Sequence, residues 1–537
     1  MMKHITRPLA ALVIATLTAC GPGGGGNTTV LPNSNPSPQP GTLSTTGVAF
    51  VGIGDSLTAG YQSDGFLGDP TATAAGISAY PGGAVPPGQE NGWWSLFYQS
   101  LTNTPTAAMY NAPTSPLPLI GAPGLGTQLV LNLSSLLANV QSACSTPNLE
   151  AFSSSGWTAT RLSASAPVTD LGVPGITMHE AIAMSGPLTG PPQGQNCSYI
   201  SIPGDPTSGG LQSLVMGESS VFYPVMGGFQ STFPGSSLTE LNVATGLKPK
   251  LTTVWLGAND LLKFIFSNGQ SPISDSPTQI AADLTSIVKS VAGTGSQVLV
   301  ADLPTVLTTA QFFPQAKLTA DYTDLLIVNK VPPATAAQLA AGLSNQLTTA
   351  YGLSGGGYLT ESGFLGALQQ LTAQLTANPA SPPNFSIISL DPSGPGSGAG
   401  AAYITPAFAT TINAYNAGIN QAIDAVATGS GPTVALVPIN TTFTALAQPN
   451  ATLATIIPGA PALTLQFGGG LLSWDGLHPS NAGYAAIADI FMNAAVTAFK
   501  TKVTPLTGAQ ITAIAGSDPY NPTVVDTALG GPVFPLP

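Results

Sequence analysis

Charged side chains are scarce in this chain. Asp, Glu, Lys and Arg make up 6% of its 537 residues, against about 25% in ordinary soluble domains. Basic residues are the scarcer sign, 11 against 23 acidic, for a net charge of −12. After the first few positions no Lys/Arg cluster occurs, which excludes a phosphate-neutralising surface and, with it, nucleic acid as a partner. Only three histidines and three cysteines are present. His179-Glu180 lacks the second histidine of H-E-x-x-H, and no Cys/His spacing fits zinc, so no metal and no organic cofactor is expected. What is plentiful is Gly (62) and Pro (50), beside a hydrophobic share of 43%. Long loops around a sizeable core follow. Disorder does not, because it requires low hydrophobicity with high charge.

The N-terminus reads as a targeting segment. Lys3 and Arg7 precede the apolar run PLAALVIATLTA, which is too short to cross a bilayer as a helix. The run ends in Leu17-Thr18-Ala19-Cys20, then Gly21. This resembles a bacterial lipobox, implying cleavage before Cys20 and lipidation of that residue; an ordinary secretory signal is the alternative. Either way the protein leaves the cytoplasm, and the expected location is the bacterial cell envelope, anchored through Cys20. Gly21 after the cysteine favours the outer membrane in a cell that has one. Residues 21–46 are rich in Gly, Pro, Ser and Asn and form a tether that, as flexible coil, spans about 30 Å. Cys144 and Cys197 remain, in a compartment where a disulfide persists. Paired, they would add about 4 kcal/mol in the chain-entropy picture; two separate buried thiols are the other reading.

Strands and helices alternate along the rest. VAFVGI (48–53), LTTVWLG (251–257), SQVLVADLP (296–304) and TVALVPI (433–439) are continuous apolar runs, as in strands covered on both faces. Ile280, Leu284, Ile287, Val288 and Val291 form a helical stripe, a second helix falls near 406–426, and Tyr484 to Phe499 carries a last one. This order predicts a parallel sheet with helices on both faces. The expected divisions are a signal peptide at 1–19, the anchor and tether at 20–46, one catalytic domain at 47–502 and an extension at 503–537. Segments at about 62–165, 178–240 and 305–400 read as insertions into that domain, the last with a helical pattern at Phe364, Leu368, Leu371 and Leu375.

The first strand ends in Gly54-Asp55-Ser56-Leu57. A serine at a strand end is a candidate nucleophile, or simply a turn that caps a helix. An activated serine needs a base and a carboxylate to orient it. His478, three residues after Asp475 in SWDGLHPSNAGY, can supply both from one loop. Pro479 keeps His478 out of helical geometry, and Ser480 or Asn481 can cap the helix that follows.

Four stretches together resemble the SGNH, or GDSL, hydrolase family: GDSLTAG (54–60), DLGVPGIT (170–177), GAND (257–260) and DGLH (475–478). The resemblance implies Ser56 as nucleophile, His478 as base and Asp475 as its orienter. It further implies an oxyanion hole from the N–H groups of Ser56 and Gly175 and the side-chain amide of Asn259. Asp170 stands where the second block usually has Asn, and Pro174 precedes the oxyanion glycine. The implied fold is a three-layer α/β/α sandwich of flavodoxin-like type around a mainly parallel sheet, with large insertions. The implied reaction is hydrolysis of carboxylic esters, by a lipase or carboxylesterase, with a carbohydrate O-acetyl esterase as the alternative. FGGGLL (467–472) and the 305–400 insertion are candidate acyl-binding walls or core. A reading of another class is a surface lipoprotein that binds or scaffolds through its insertions. Oligomeric state is not legible.

Overall fold

The computed structural model describes residues 48–62, 89–104, 116–117, 168–184, 225–226, 229, 238–266, 268–269, 275–328, 331–378, 381–390, 402–473, 476–518 and 521. Cys20, Cys144, Cys197 and Asp475 lie outside them, as do most of the first two insertions.

The chain builds β1 (Phe50–Gly54), α1 (Trp93–Thr102), α2 (Glu240–Leu247), β2 (Leu251–Trp255), α3 (Ala258–Phe266), α4 (Pro277–Gly293) and β3 (Gln297–Ala301). An inserted unit follows, with β4 (Phe312–Pro314), α5 (Leu318–Val328), α6 (Pro333–Ala350), β5 (Tyr358–Thr360), α7 (Glu361–Ala377) and β6 (Tyr403–Ile404). The main domain resumes with α8 (Pro406–Gly429), β7 (Val434–Val437), α9 (Ile439–Leu446), α10 (Asn481–Phe499) and α11 (Gly508–Ser517).

Four strands pair in parallel in the order β1-β2-β3-β7. Residues 169–173 run beside β1, with Leu171 N–H donating to Gly52 O and Val173 N–H to Gly54 O, each at 3.0 Å. Both faces of the sheet are apolar and both are covered, as a parallel sheet requires. On one face α10 packs with α1 and α11; on the other lie α2, α4 and α8. Trp93 stacks on Phe491 of α10 at 3.9 Å and Phe50 of β1 on Trp94 at 5.0 Å, so the Trp93-Trp94 pair fastens α1 to both neighbours. The helix α10 is long and apolar enough to cross a membrane, yet Tyr484, Ile487, Phe491 and Met492 are spent on this core. The architecture is the expected α/β/α sandwich.

The 305–400 segment folds around a core of its own. Its strands β4-β5-β6 pair antiparallel. Phe364 is sandwiched between Phe313 at 4.0 Å and Tyr322 at 4.1 Å. Leu339, Leu343, Leu347 and Leu371 complete the cluster. The unit is rooted on the main domain where Gln311 N–H donates to Gly476 O at 2.9 Å. Past α10, the extension holds the helix in place: Asp518 Oδ2 accepts from Asn481 N–H at 3.3 Å, and Asn521 Nδ2 donates to Gly470 O at 3.1 Å.

Candidate active site

Ser56 sits in a tight turn directly after β1. Asp55 makes that turn: its Oδ1 accepts from Leu57 N–H at 2.9 Å, and its carbonyl accepts from Thr58 and Ala59. His478 arrives from the other end of the chain, in a loop closed by Ser473 N–H donating to His478 O at 2.7 Å. Ser480 then caps α10, accepting from Gly483 N–H at 3.2 Å. Between these two turns His478 Nε2 and Ser56 Oγ are 2.8 Å apart, a hydrogen bond of the length general-base catalysis uses. Tyr61 packs against the imidazole in a T-shaped arrangement with ring centres 4.9 Å apart, and the Tyr484 hydroxyl donates to Tyr61 O. The Ser56 and His478 side chains are thus held from both sides while remaining 7% and 9% exposed.

Of the other expected groups, Asn259 reaches the same turn, and Asp475 is outside the described residues. Gly175 has φ +88°, a conformation glycine adopts without strain. Among the described residues, neither Ser56 N–H nor Gly175 N–H donates a hydrogen bond. Asn259, in the first turn of α3, is 8% exposed, and its Nδ2 donates to Asp55 Oδ2 at 3.3 Å and to Ile176 O at 3.1 Å. Pro174, which has no N–H to give, leaves the Gly175 N–H in place. Asp170 turns inward and accepts from Gly172 N–H at 3.1 Å.

A buried network missed in the sequence underlies the Gly175 turn. Glu180 Oε2 accepts from Thr177 N–H at 2.8 Å, and Asp260 Oδ2 from Met178 N–H at 3.0 Å. Lys263 Nζ meets Glu180 Oε1 at 2.7 Å. The available signal was Lys263 itself, a single charge inside the apolar run LLKFIF in a chain with few charges to place. His179 is outside this arrangement, with its Nδ1 against Asp283 Oδ2 at 3.2 Å and a half-exposed side chain.

Burial dominates the electrostatics. It raises Asp55 to about 7, opposed by the Leu57 N–H and by His478. It also raises Asp260 to about 7, opposed by the Met178 N–H. Glu240 and Asp170 lie in the same region, and burial pushes both well above the carboxylate range; for Glu240 the proximity of Asp55 and Asp170 adds to it. Among the described residues no group of His, Cys, Asp and Glu is arranged to hold a metal ion.

A pocket opens beside the serine and histidine, lined by Asn259 and by apolar side chains from β2, α3, the loop after β3, α9 and α10. Of the two expected acyl walls, FGGGLL does not line it: Leu471 and Leu472 are core. The third insertion reaches it only through its first residues, Val306 and Thr309.

Compared with known families, residues 200–491 match the model of the GDSL-like lipase/acylhydrolase family, more than half of the chain. The chain belongs to that family. It is therefore a hydrolase of ester bonds, and the α/β sandwich is the family's fold. The matched span contains Asn259 and His478, whereas Ser56 and Gly175 precede it. No curated protein and no solved structure matches the chain.

Proposed function

We propose that this hydrolase cleaves carboxylic esters through an acyl intermediate on Ser56. His478 Nε2 takes the hydroxyl proton as Ser56 Oγ attacks the carbonyl carbon, and the carbonyl π electrons move onto oxygen. The N–H groups of Ser56 and Gly175, with the Asn259 amide, stabilise that oxyanion. As the tetrahedral intermediate collapses, the bond to the alcohol oxygen breaks and His478 returns the proton to it. Water, deprotonated by His478, then attacks the acyl carbon; Ser56 leaves with the proton and the carboxylic acid is released. Asp475 is assigned to hold the imidazole in the required tautomer. The observation that carries the reading is the 2.8 Å contact between His478 Nε2 and Ser56 Oγ, two residues that the sequence motifs single out independently.

The test is turnover of p-nitrophenyl esters by the full chain and by its Ser56→Ala, His478→Ala and Asp475→Ala variants. Ser56→Ala and His478→Ala should each lose at least about 10³-fold in kcat. Retention of wild-type turnover by Ser56→Ala would remove the serine from the mechanism.

We further propose that the mature protein is anchored to the bacterial envelope through Cys20, on the support of the lipobox-like LTAC and the tether after it. Cys20→Ser should move the protein from the membrane fraction to the soluble one.

A further inference from the structure

The apolar pocket beside Ser56 is small and one of its walls is held by hydrogen bonds. Its cavity volume is about 50 Å³. One water needs about 10–15 Å³ on such a measure, and a chain methylene has similar bulk. Its apolar lining comes from Leu262, Leu303, Val306, Phe443, Leu477 and Ile487, and its polar side chains are Ser56, Asn259, His478 and Thr309. Three of these four belong to the catalytic group and Thr309 Oγ1 donates to Val306 O at 2.8 Å, so among the described residues few polar groups are left to satisfy a sugar hydroxyl or a charged head placed inside. The deepest positions are Trp255, Leu303 and Ile487, each about 1% exposed.

Rigidity comes from asparagines on two helices. Asn420 of α8 brackets Leu303, accepting from its N–H at 2.9 Å and donating to its carbonyl at 2.8 Å. Asn416, one turn earlier, accepts from Val306 N–H at 3.1 Å. On the facing side, Asn440 N–H donates to Asp302 Oδ1 at 2.7 Å and its side chain accepts from Thr305 Oγ1 at 3.3 Å. These bonds tie α9, which carries Phe443, to the same loop. The wall formed by the loop after β3 and by α9 is therefore held by hydrogen bonds to buried or half-buried side chains, and moving that wall outward breaks them.

We infer that this pocket seats the acyl chain, that it limits the substrate to short aliphatic acyl esters of roughly two to six carbons, and that Val306 and Leu262 set the limit. The inference rests on the acyl-Ser56 reading. It gives the third insertion a part in the pocket wall through its first residues alone, and it leaves the alcohol part of the ester outside.

The experiment is a kcat/KM profile over p-nitrophenyl esters from acetyl to palmitoyl, for the full chain and for Val306→Phe and Leu262→Ala. In parallel, each protein is labelled with a fluorophosphonate and the Ser56 peptide is assayed by mass. The wild type should peak within the two-to-six-carbon range and fall at least tenfold by dodecanoyl. Val306→Phe should lower the hexanoyl-to-acetyl ratio by about tenfold, the scale of a methylene-sized change in an apolar site. Leu262→Ala should shift the optimum to longer chains, and it carries the test alone if Val306→Phe does not fold. A wild type that hydrolyses palmitoyl as well as butyryl esters overturns the inference, as does a profile unmoved in both variants. Labelled Ser56 with no turnover of any short ester overturns it while leaving the nucleophile standing. Absence of both labelling and turnover overturns the acyl-Ser56 reading and the inference together.

Discussion

Asn259 gives one amide hydrogen to Asp55 Oδ2 at 3.3 Å, and the other goes to Ile176 O at 3.1 Å. The opposite orientation of the amide would face its oxygen towards two acceptors, so the assignment of nitrogen and oxygen is fixed by its partners. The donor assigned to the oxyanion is therefore tied at rest to the residue next to the nucleophile. When negative charge forms on the substrate, the longer bond, to Asp55, is the one to exchange. Asn259→Ala should lower kcat on the order of 10²–10³-fold with a smaller change in KM, as loss of one oxyanion donor does. A loss in KM alone would assign the amide to ground-state binding.

Stability should fall as pH rises from about 4 to about 7. Asp55 and Asp260 go from an ordinary value of 3.8 to about 7 through burial. Between those limits the native state keeps protons that the unfolded state gives up, so raising the pH favours unfolding; above about 7 these two groups are ionised in both states and add no further slope. Tm should be higher at pH 5 than at pH 8, and Asp260→Asn should flatten the difference. A Tm that climbs over this range would contradict the sign.

Lys263→Met leaves Glu180 charged, 4% exposed and without its cation. Breaking a buried pair from one side costs about 3–5 kcal/mol. Glu180 also holds Thr177 N–H, so the Gly175 turn should loosen with it. Urea unfolding should report the loss of stability, and kcat should fall more than KM rises. Replacing Lys263 and Glu180 together by apolar residues should recover stability but not kcat.

Gly476→Ala should uncouple the histidine loop. Gly476 has φ +68°, and a Cβ there would lie 2.8 Å from Gln311 N and from the Ala310 carbonyl carbon. Either the 310–311 strand entry or the loop carrying His478 must move. The expected outcome is a fall in kcat of tenfold or more with the fold retained by circular dichroism, since the displaced loop carries His478, the proposed base. Unchanged kcat would show that the inserted unit, not the loop, gives way.

The strand–helix alternation was legible because the core elements are continuous apolar runs and clean helical stripes. Leu251–Trp255 and Gln297–Ala301 fall inside the stretches read as strands, Phe50–Gly54 runs one residue past its stretch, and Pro277–Gly293 carries the stripe from Ile280 to Val291. The juxtaposition of Ser56 and His478 was legible only through motifs, since no periodicity links residues 422 positions apart. The support beneath Gly175 was not legible. Glu180, Asp260 and Lys263 act through backbone N–H groups and one another, and such pairing depends on how helix α3 docks. The independent core of the third insertion was half-visible: the stripe from Phe364 to Leu375 predicted a helix, but the stacking of Phe313, Phe364 and Tyr322 joins residues that no local pattern connects.

The central claim is that Ser56 is the nucleophile activated by His478. The most direct measurement is the site and rate of fluorophosphonate labelling, read by peptide mass on the wild type and on His478→Ala. A single adduct on Ser56, slowed at least about 10³-fold without the histidine, is the predicted result. An adduct on another residue, or equal labelling in the two proteins, would contradict it.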